Sequence, residues 1–458
     1  MKNPILIPEL RDLLKKKKFK VLKSFMEESH PKESAEYLAL MNPDEIWRLL
    51  KLVDIFHRVD IFVYLDIDVQ VKLVTSSMRK NVTELLQELS SDKRADLFQH
   101  LEKDVADRLM LYLPIPDRAD ILKLTSYREE TAGSIMTTDY ATLTESDTVE
   151  AAVRKIRKTA PSRETIYYIY VIDDVGKLIG FVSLEKIILS QPRQKIKNIM
   201  KKDIIYAFTD DDQENTANLI EEYDLIALPI IDRSERLVGI ITYDDAIDII
   251  REEHTEDMEK LMAISGGVEE KPYLEVPSYV HFRKRAFWVV ILAVFGLFTG
   301  LIIESFQDTL KTLLILTFYM PLLNAAGGNT GSQSATVVLR SLTLNELHPR
   351  DLVKVIKKEF LISSMLALCL GLMTFARVYL FSHTGIDPRF TLVDIAMVIA
   401  VALSLQVVWS TIFGGIIPII ATRLKVDPAL VSSPLLATVV DMGGVIIYFT
   451  AAKLMLGI

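Results

Sequence analysis

The sequence predicts a multi-domain membrane protein with an all-α superhelical N-terminal domain, a pair of α/β modules and a five-helix transmembrane domain. Apolar residues recur three and four positions apart through the first 130 residues, which is the period of amphipathic helices. A strand–turn–strand–helix pattern then occurs twice. Long apolar runs follow residue 285. We therefore divide the chain into four parts, 1–130, 133–252, 253–285 and 286–458.

Residues 1–130 are expected to form a helical cytoplasmic domain. Asn42 can cap a helix whose first turn holds a proline and two acidic residues. Glycine is absent before Gly133, which suits short helices joined by tight polar turns. A loose likeness between MNPDEI and PIPDRADI hints at a helical repeat. Asp92 and Asp96 are expected to be surface residues.

Residues 133–252 contain two matching stretches, YYIYVIDDVGKLIGFVSLEKI and IALPIIDRSERLVGIITYDDA. In each, we expect a second strand to start at Gly180 or Gly239 and a helix to start at Ser183 or Thr242. This arrangement resembles a tandem pair of CBS domains, which pack as a pseudo-symmetric unit. The resemblance implies that the pair senses nucleotides or ions.

The CBS resemblance further implies one adenosine nucleotide site, for ATP, in which Thr242 and Asp245 would hold the ribose. The first copy has Lys186 where the pattern expects aspartate after Ser183. Simple helix capping by Ser183 and Thr242 explains the same residues equally well. Both interpretations remain open at this point.

An acidic run begins at the end of the second module and continues into residues 253–285, which we expect to form a connecting, plug-like helix and a linker. Residues spaced by three or four share a helix face, where like charges repel. The face is either simply solvated or bridged by a divalent cation. We expect Gly266 and Gly267 to end the helix. The run contains Asp244, Asp245, Asp248, Glu252, Glu253, Glu256 and Asp257.

Residues 286–458 are expected to contain five membrane spans. Basic residues concentrate in the loops on one side of these spans, for example at residues 283–285 and 350–358. The positive-inside rule then places the N-terminal domains in the cytoplasm and the C-terminus outside, in the plasma membrane. The predicted spans are 286–303, 310–339, 360–381, 392–420 and 434–456.

Residues 321–341, PLLNAAGGNTGSQSATVVLRS, place amides, hydroxyls and glycines inside an apolar region. Every polar group within a bilayer must find a partner in protein or water. One interpretation is close helix packing, in which small residues and hydrogen bonds hold helices together. The alternative, which we favour, is that this stretch lines a polar path across the membrane.

Asp441 lies in a second polar interruption, PLLATVVDMGGVIIYF. A carboxylate near the bilayer centre costs roughly 2.5–3.5 kcal/mol, so such a residue is a functional candidate. Arg377 and Lys453 are poor partners, because they lie near span ends and can reach the interface. We interpret Asp441 as facing a hydrated cation.

The motifs PLLNAAGGNTGSQSATVVLRSL, VDPALVSSPLLATVVDMGG and DDAIDIIREEHTEDMEKL together resemble the MgtE family of magnesium channels and transporters. The order of the domains is also similar. The resemblance implies Mg²⁺ uptake through one pore on the two-fold axis of a homodimer, with residues 327–331 as a glycine loop. It implies that the pore residues are Asp441, Ala437, Asn329 and Gly328.

The resemblance also implies that cytosolic Mg²⁺ closes the pore by bridging acidic residues. A transporter of Co²⁺, Ni²⁺, Mn²⁺ or another solute, regulated by the same modules, is the alternative, because oxygen-rich sites accept several metals. The implied regulatory residues are Asp224, Asp245, Asp248, Glu253, Glu256, Asp257 and Asp427.

The composition argues against other classes of protein. The formal net charge of −8 does not suit a nucleic-acid-binding protein. Membrane lipid is an expected partner because of the apolar spans, and the resemblance implies a second copy of the chain as the other. The single cysteine, Cys369, excludes an intrachain disulfide and a cysteine-rich metal site. The HExxH motif of an intramembrane metalloprotease is absent. We therefore expect that the protein is not an enzyme.

Overall fold

The computed structural model describes residues 7–76, 79–159, 164–267, 273–274, 276–344, 346–382 and 389–457, with backbone alone at 79, 430–435 and 437. The chain forms two compact units, Met1–Arg251 and Glu252–Ile458. The boundary between them falls inside one helix, Tyr243–Leu261.

The N-terminal part is helical in the described residues, as the apolar period predicts. Asn42 caps the fourth helix and forms a capping box with Glu45. Buried leucines such as Leu49 and Leu73 form the core, and Trp47 donates its indole N–H to the Leu73 carbonyl at 3.0 Å. The helices are α1 (Ile7–Lys15), α2 (Phe19–Glu28), α3 (Pro31–Leu38), α4 (Pro43–Leu50), α5 (Ile55–Val63), α6 (Ile67–Ser76), α7 (Arg79–Glu88), α8 (Ser91–Gln99), α9 (Lys103–Met110) and α10 (Ile115–Leu124).

Two similar α/β modules follow, each with a three-stranded sheet. In both sheets the first two strands are parallel and the last two are antiparallel. The first module comprises α11 (Ala132–Ile135), β1 (Thr142–Thr144), α12 (Val149–Thr159), β2 (Tyr168–Ile172), β3 (Leu178–Ser183) and α13 (Leu184–Leu189). The second comprises β4 (Ala207–Phe208), α14 (Gln213–Glu222), β5 (Ala227–Ile231), β6 (Leu237–Thr242) and α15 (Tyr243–Leu261).

The predicted helix start at Ser183 is confirmed, because its hydroxyl accepts the Lys186 N–H at 3.2 Å. The strands, however, begin two residues before Gly180 and Gly239. These glycines lie inside the strands, at points where other segments of the same chain pass close by. A Cβ on Gly180 would lie 2.8 Å from the carbonyl oxygen of Lys201.

The C-terminal unit is helical in the residues that the structure describes. Four segments there are long and apolar enough to cross a membrane: Ser278–Ser305, Pro349–Phe381, Leu392–Arg423 and Thr438–Leu456. The helices are α16 (Ser278–Ser305), α17 (Gln307–Thr312), α18 (Ile315–Thr343), α19 (Leu352–Phe381), α20 (Leu392–Arg423) and α21 (Pro428–Leu456). α18 is long enough to cross a membrane, with 29 residues, but its polar half makes its mean hydropathy too low for it to count among those four segments.

Several expectations about this unit are wrong in detail. Residues 327–331 are helical rather than a loop, because α18 continues through them without a break. α15 ends at Leu261, before the glycines expected to stop it. The first span begins at Ser278, since basic residues can remain helical while their charged ends reach water. The predicted second span starts at residue 310, but that residue lies in the short helix α17, which is separate from α18.

Candidate functional site

One face of the polar stretch in α18 packs inside the helix bundle. Thr330 and Ser334 are buried on this face. The Thr330 hydroxyl lies 2.8 Å from the Ser410 hydroxyl of α20, and Ser334 donates to a Glu359 carboxylate oxygen of α19 at 2.8 Å. These hydrogen bonds are the kind that joins helices within a membrane. This face, hereafter the inner face, therefore fits the packing interpretation.

The opposite face of α18 is open. Asn329, Ser332, Gln333 and Thr336 are exposed there, and their spacing aligns them along one side of the helix. The side chains of Asn329, Ser332 and Gln333 form no hydrogen bonds with the residues that the structure describes. Gly328 is half-buried beside them. We call this side of the helix the open face.

Two glycines allow α21 to approach α18 closely. A Cβ on Gly327 would lie 3.1 Å from a Val440 methyl group, and one on Gly331 would lie 3.4 Å from Val440 and Leu436. Val440 is fully buried by this contact. It immediately precedes Asp441, so the packing of Val440 fixes the carboxylate-bearing turn of α21 beside α18.

Asp441 is half-buried and makes no hydrogen bond or ion pair with any residue in the described part of the chain. A carboxylate in an apolar helix that lacks a protein partner is suited to a mobile cation. Ala437, the other pore residue implied on α21, lies in the helix, but its side chain is outside the described residues.

Two buried polar side chains of the membrane region were not singled out from the sequence. Glu359 directly follows two lysines and therefore resembles an interfacial residue, yet it is 7% exposed. Gln406 is fully buried, and neither atom of its amide has a partner among the described residues. It packs against Gly327 of α18 and Gly444 of α21. The sequence signal that could have identified Gln406 is its single amide within the apolar run SLQVVW.

The first acidic cluster joins α8 to the start of α15 and consists of Asp92, Lys93 and Asp245. Lys93 Nζ lies 2.8 Å from Asp245 Oδ1 and 3.7 Å from Asp92 Oδ2. Thr242 donates its hydroxyl to the other Asp245 oxygen at 2.7 Å. The ribose-binding pair implied by the sequence is thus already engaged in protein contacts.

Asp92 is not a surface residue, contrary to expectation. Its side chain is 10% exposed, and its Oδ1 has no partner among the described residues. Burial raises the pKa of the Asp92 carboxyl, Lys93 opposes that rise, and Asp245 adds to it. The expectation was wrong because the cluster is formed by the contact of Lys93 with Asp245, residues 152 positions apart, which no local pattern shows.

Glu164 places a further carboxyl group near the first cluster. Crowding by protein atoms raises the pKa of its carboxyl to about 7, and the carboxylates of Asp92 and Asp245 contribute to the rise. Burial alone would lower the pKa of Lys93, but Asp245 and Asp92 raise it above its usual value. The lysine ammonium therefore remains charged in an acidic environment.

The second acidic cluster joins the end of α15 to the segment before α21 and consists of Glu256, Asp257, Lys260 and Asp427. Lys260 Nζ lies 3.0 Å from Glu256 and 2.9 Å from Asp427. Asp427 also caps α21 by accepting the Ala429 N–H at 2.8 Å. Burial raises the pKa of the Asp257 carboxyl, and the Asp427 carboxylate adds to the effect.

The other implied regulatory residues lie apart from these contacts. Asp224 and Asp248 are exposed, and Asp248 pairs with Arg251 at 3.7 Å. Glu253 is half-buried in α15. Within the described ranges, no three or more acidic, histidine or cysteine side chains are arranged to hold a metal ion. In both clusters a lysine ammonium, that of Lys93 or Lys260, lies between the carboxylates and contacts two of them.

A separate cavity of about 100 Å³ lies between the two α/β modules. Tyr168 and Phe181 form part of its wall and meet edge to face, with ring centroids 5.5 Å apart. Asp203 and Ala227 also line it, and Ala227 pairs with Thr242 across β5 and β6. An aromatic wall with one carboxylate suits a purine and its ribose.

Comparisons with known families cover most of the chain. A model described as MgtE divalent cation transporter matches residues 320–451, and a model of the MgtE intracellular N domain matches 29–130. The CBS domain model matches 132–192 and 196–252. The two modules and the polar helices thus fall in matched regions.

Individual relatives agree with these matches. A magnesium transporter MgtE of Thermus thermophilus is 35% identical, over 98% of both chains. One of Bacillus subtilis is 31% identical over 96% of this chain and 95% of its own. A crystal structure of the cytosolic domain of the Mg²⁺ channel MgtE in complex with ATP covers 52% of this chain and 98% of that chain, with 34% identity and a TM-score of 0.50.

Proposed function

The chain belongs to the MgtE family of magnesium transporters, and we propose that it is a Mg²⁺-selective channel or transporter of the plasma membrane. In this proposal it mediates Mg²⁺ uptake and is closed by cytosolic Mg²⁺. Its N-terminal domains lie in the cytoplasm, and its C-terminus lies outside. The observation that carries the proposal is an open polar face on α18 together with an unpartnered carboxylate, Asp441, on α21, the helix that packs against α18.

The open face suits a hydrated ion better than a bare one. Mg²⁺ binds oxygen at about 2.0–2.1 Å with octahedral geometry and gives up its water reluctantly. The amides of Asn329 and Gln333 and the hydroxyl of Ser332 can hydrogen-bond to that water shell. Asp441 supplies the negative charge. The ion therefore crosses with most of its water, and the protein selects it by charge and by the geometry of the shell.

A second copy of the chain completes the path. A polar helix face cannot remain exposed to lipid, because its groups would lack hydrogen-bond partners there. Two-fold symmetry would set the open faces of two α18 helices opposite each other and place both copies of Asp441 around the ion. The homodimer thus has one central path, in which Gly328 and the helix turn at Ala437 lie near the ion.

Cytosolic Mg²⁺ regulates this path through the two acidic clusters. α15 carries Asp245 at its start and Glu256 and Asp257 near its end. Cation binding to carboxylates on different elements holds those elements together, whereas repulsion separates them when the cation leaves. The ion shifts the equilibrium because it binds the closed state better. Asp224, Asp248 and Glu253 add negative charge that raises the local cation concentration.

ATP binds in the cavity between the modules in this proposal. Tyr168 and Phe181 contact the base, and Asp203 accepts hydrogen bonds from the ribose hydroxyls. The cavity of about 100 Å³ is about the size of a purine base, so the base occupies it, and the ribose and phosphates lie towards its mouth. Thr242 and Asp245 then act in the first acidic cluster rather than at the ribose.

The test is Mg²⁺ entry into proteoliposomes, measured with an entrapped dye, for the wild type, Asp441→Ala and the control Asp308→Asn. Asp308 is an exposed carboxylate of α17 that pairs with Lys311. Asp441→Ala is expected to lower the initial rate by roughly tenfold or more, which corresponds to about 1.4 kcal/mol on the barrier. Asp308→Asn is expected to keep the wild-type rate.

The measured entry rates test the path, the ion selectivity and the regulation separately. Equal rates in the wild type and Asp441→Ala contradict the proposed path. Co²⁺, Ni²⁺ or Mn²⁺ entry without Mg²⁺ entry contradicts Mg²⁺ selectivity and favours a transporter of another divalent metal. Mg²⁺ added to the cytoplasmic face is expected to reduce entry, and a rate that ignores this addition contradicts the proposed regulation.

A further inference from the structure

Both acidic clusters contain a lysine ammonium between carboxylates from different elements. In the first, Lys93 of α8 contacts Asp245 of α15 at 2.8 Å. In the second, Lys260 of α15 contacts Asp427, which precedes α21, at 2.9 Å. The sequence positions are unrelated, yet the arrangement is the same.

The ammonium uses the oxygens that a cation would use. A divalent cation binds carboxylate oxygen at about 2.0–2.6 Å, closer than the 2.8 Å between Lys93 Nζ and Asp245. A divalent cation that binds Asp245 directly therefore competes with the ammonium of Lys93 for the carboxylate. In the second cluster, a divalent cation that binds Asp427 directly competes with the ammonium of Lys260.

One ammonium does not satisfy the first cluster. Lys93 carries a single charge, whereas Asp92 and Asp245 together carry two when ionised. The Oδ1 atom of Asp92 is buried, and no residue in the described ranges bonds to it. A buried oxygen without a donor carries an energetic cost. The cluster therefore retains affinity for more positive charge than its lysine provides.

We propose that Lys93 and Lys260 are built-in counter-ions that set the affinity of the two clusters for Mg²⁺. Each ammonium partly neutralises its carboxylates when Mg²⁺ is low and competes with the ion as Mg²⁺ rises. The lysines thus raise the cytosolic Mg²⁺ concentration at which transport stops. This inference rests on the proposed regulation and adds the competing residue to it.

An ordinary ion pair predicts a different result. Exposed pairs contribute little, and removing one leaves the rest of the site nearly unchanged. Lys177 offers such a pair, because it contacts Glu235 at 2.9 Å on an exposed surface of the α/β modules. Replacement of Lys177 therefore serves as the matched control for the removal of one lysine charge.

The experiment follows Mg²⁺-dependent protection of the full chain, in detergent, from chymotrypsin, whose cleavage does not require lysine. The variants are Lys93→Met, Lys260→Met, the charge-preserving Lys93→Arg and Lys260→Arg, and Lys177→Met. With MgCl₂ alone, the Mg²⁺ midpoint is expected to fall by roughly tenfold in each of the two cluster Met variants, which corresponds to about 1.4 kcal/mol. The Arg variants and Lys177→Met are expected to stay near the wild-type midpoint.

The outcomes separate this inference from the function on which it rests. An unchanged or higher midpoint in either cluster Met variant overturns the assignment for that lysine. A wild type that Mg²⁺ does not protect overturns the proposed regulation and this inference together. Variants that unfold are identified by their melting temperature without Mg²⁺. If the Met variants unfold, the Arg variants decide, because they keep the positive charge: a Mg²⁺ midpoint that falls in an Arg variant overturns competition by charge.

Discussion

The two faces of α18 carry similar polar residues, but only those on one face have hydrogen-bond partners on other helices in the described part of the chain. On the inner face, Thr330 and Ser334 find partners in α20 and α19. On the open face, Ser332 and Asn329 find none among the described residues. Residue type alone therefore does not distinguish a polar group that joins helices from one that lines an ion path. The partner of each group makes the distinction, and one stretch of sequence contains both.

Chemical labelling is expected to give the largest difference between the two faces of α18. The single native cysteine, Cys369, is exposed, so Cys369→Ser provides a cysteine-free background. In that background, Ser332→Cys is expected to react with a membrane-impermeant thiol reagent roughly tenfold faster or more than Ala335→Cys, because Ala335 is 4% exposed. Equal labelling rates in proteoliposomes would remove the difference between the faces.

The second test compares glycines in close contact with a glycine on the open side. A Cβ on Gly414 of α20 would collide with the Gly331 backbone, whereas one on Gly328 would meet no described atom within 4 Å. Gly414→Ala is expected to destabilise the helix bundle by about 1–3 kcal/mol, the usual cost of overpacking. Gly328→Ala is expected to keep or raise the melting temperature, because alanine is favoured over glycine by about 1 kcal/mol inside a helix. Thermal unfolding in detergent measures both, and a stable Gly414→Ala variant would contradict the packing.

The third and smallest expected effect separates two serines. Ser334→Ala removes the hydrogen bond to the buried Glu359 and is expected to cost about 1–2 kcal/mol of stability. Ser332→Ala is expected to keep the wild-type melting temperature but to slow Mg²⁺ entry, because it removes a group that meets the water shell. The two variants are compared by thermal unfolding and by dye-reported uptake. Similar behaviour in both assays would show that the faces do not differ in role.

The domain order and most elements could be predicted from the sequence, because periodicity and capping are local. Asn42 marks a helix start and Ser183 another, and both cap helices as expected. The polar stretch and Asp441 stand out for the same reason, since a carboxylate or an amide in an apolar run is visible without a structure.

Contacts across long sequence separations could not be predicted. Asp92 and Lys93 are neighbours in sequence, but the cluster they form depends on Asp245 of α15, which lies beside α8. Glu359 follows two lysines, so its local sequence resembles a membrane interface, whereas its burial comes from Ser334 and Gly415 on other helices. The family resemblance implies a loop at residues 327–331, but close packing of α18 against α20 and α21 keeps these residues helical although glycine disfavours helices.

The polar composition of α18 also has a consequence for how the protein reaches its membrane. Ser278–Ser305 has a mean hydropathy of 2.6 over its most apolar window, whereas α18 is not among the four segments apolar enough to span a bilayer. A helix enters the bilayer unaided only when its apolar residues outweigh its polar ones. We therefore expect α18 to enter with its neighbours, retained at the translocon until α19 and α20 supply partners for its inner face. Biogenesis, and not only transport, would then depend on the pairing of Ser334 with Glu359.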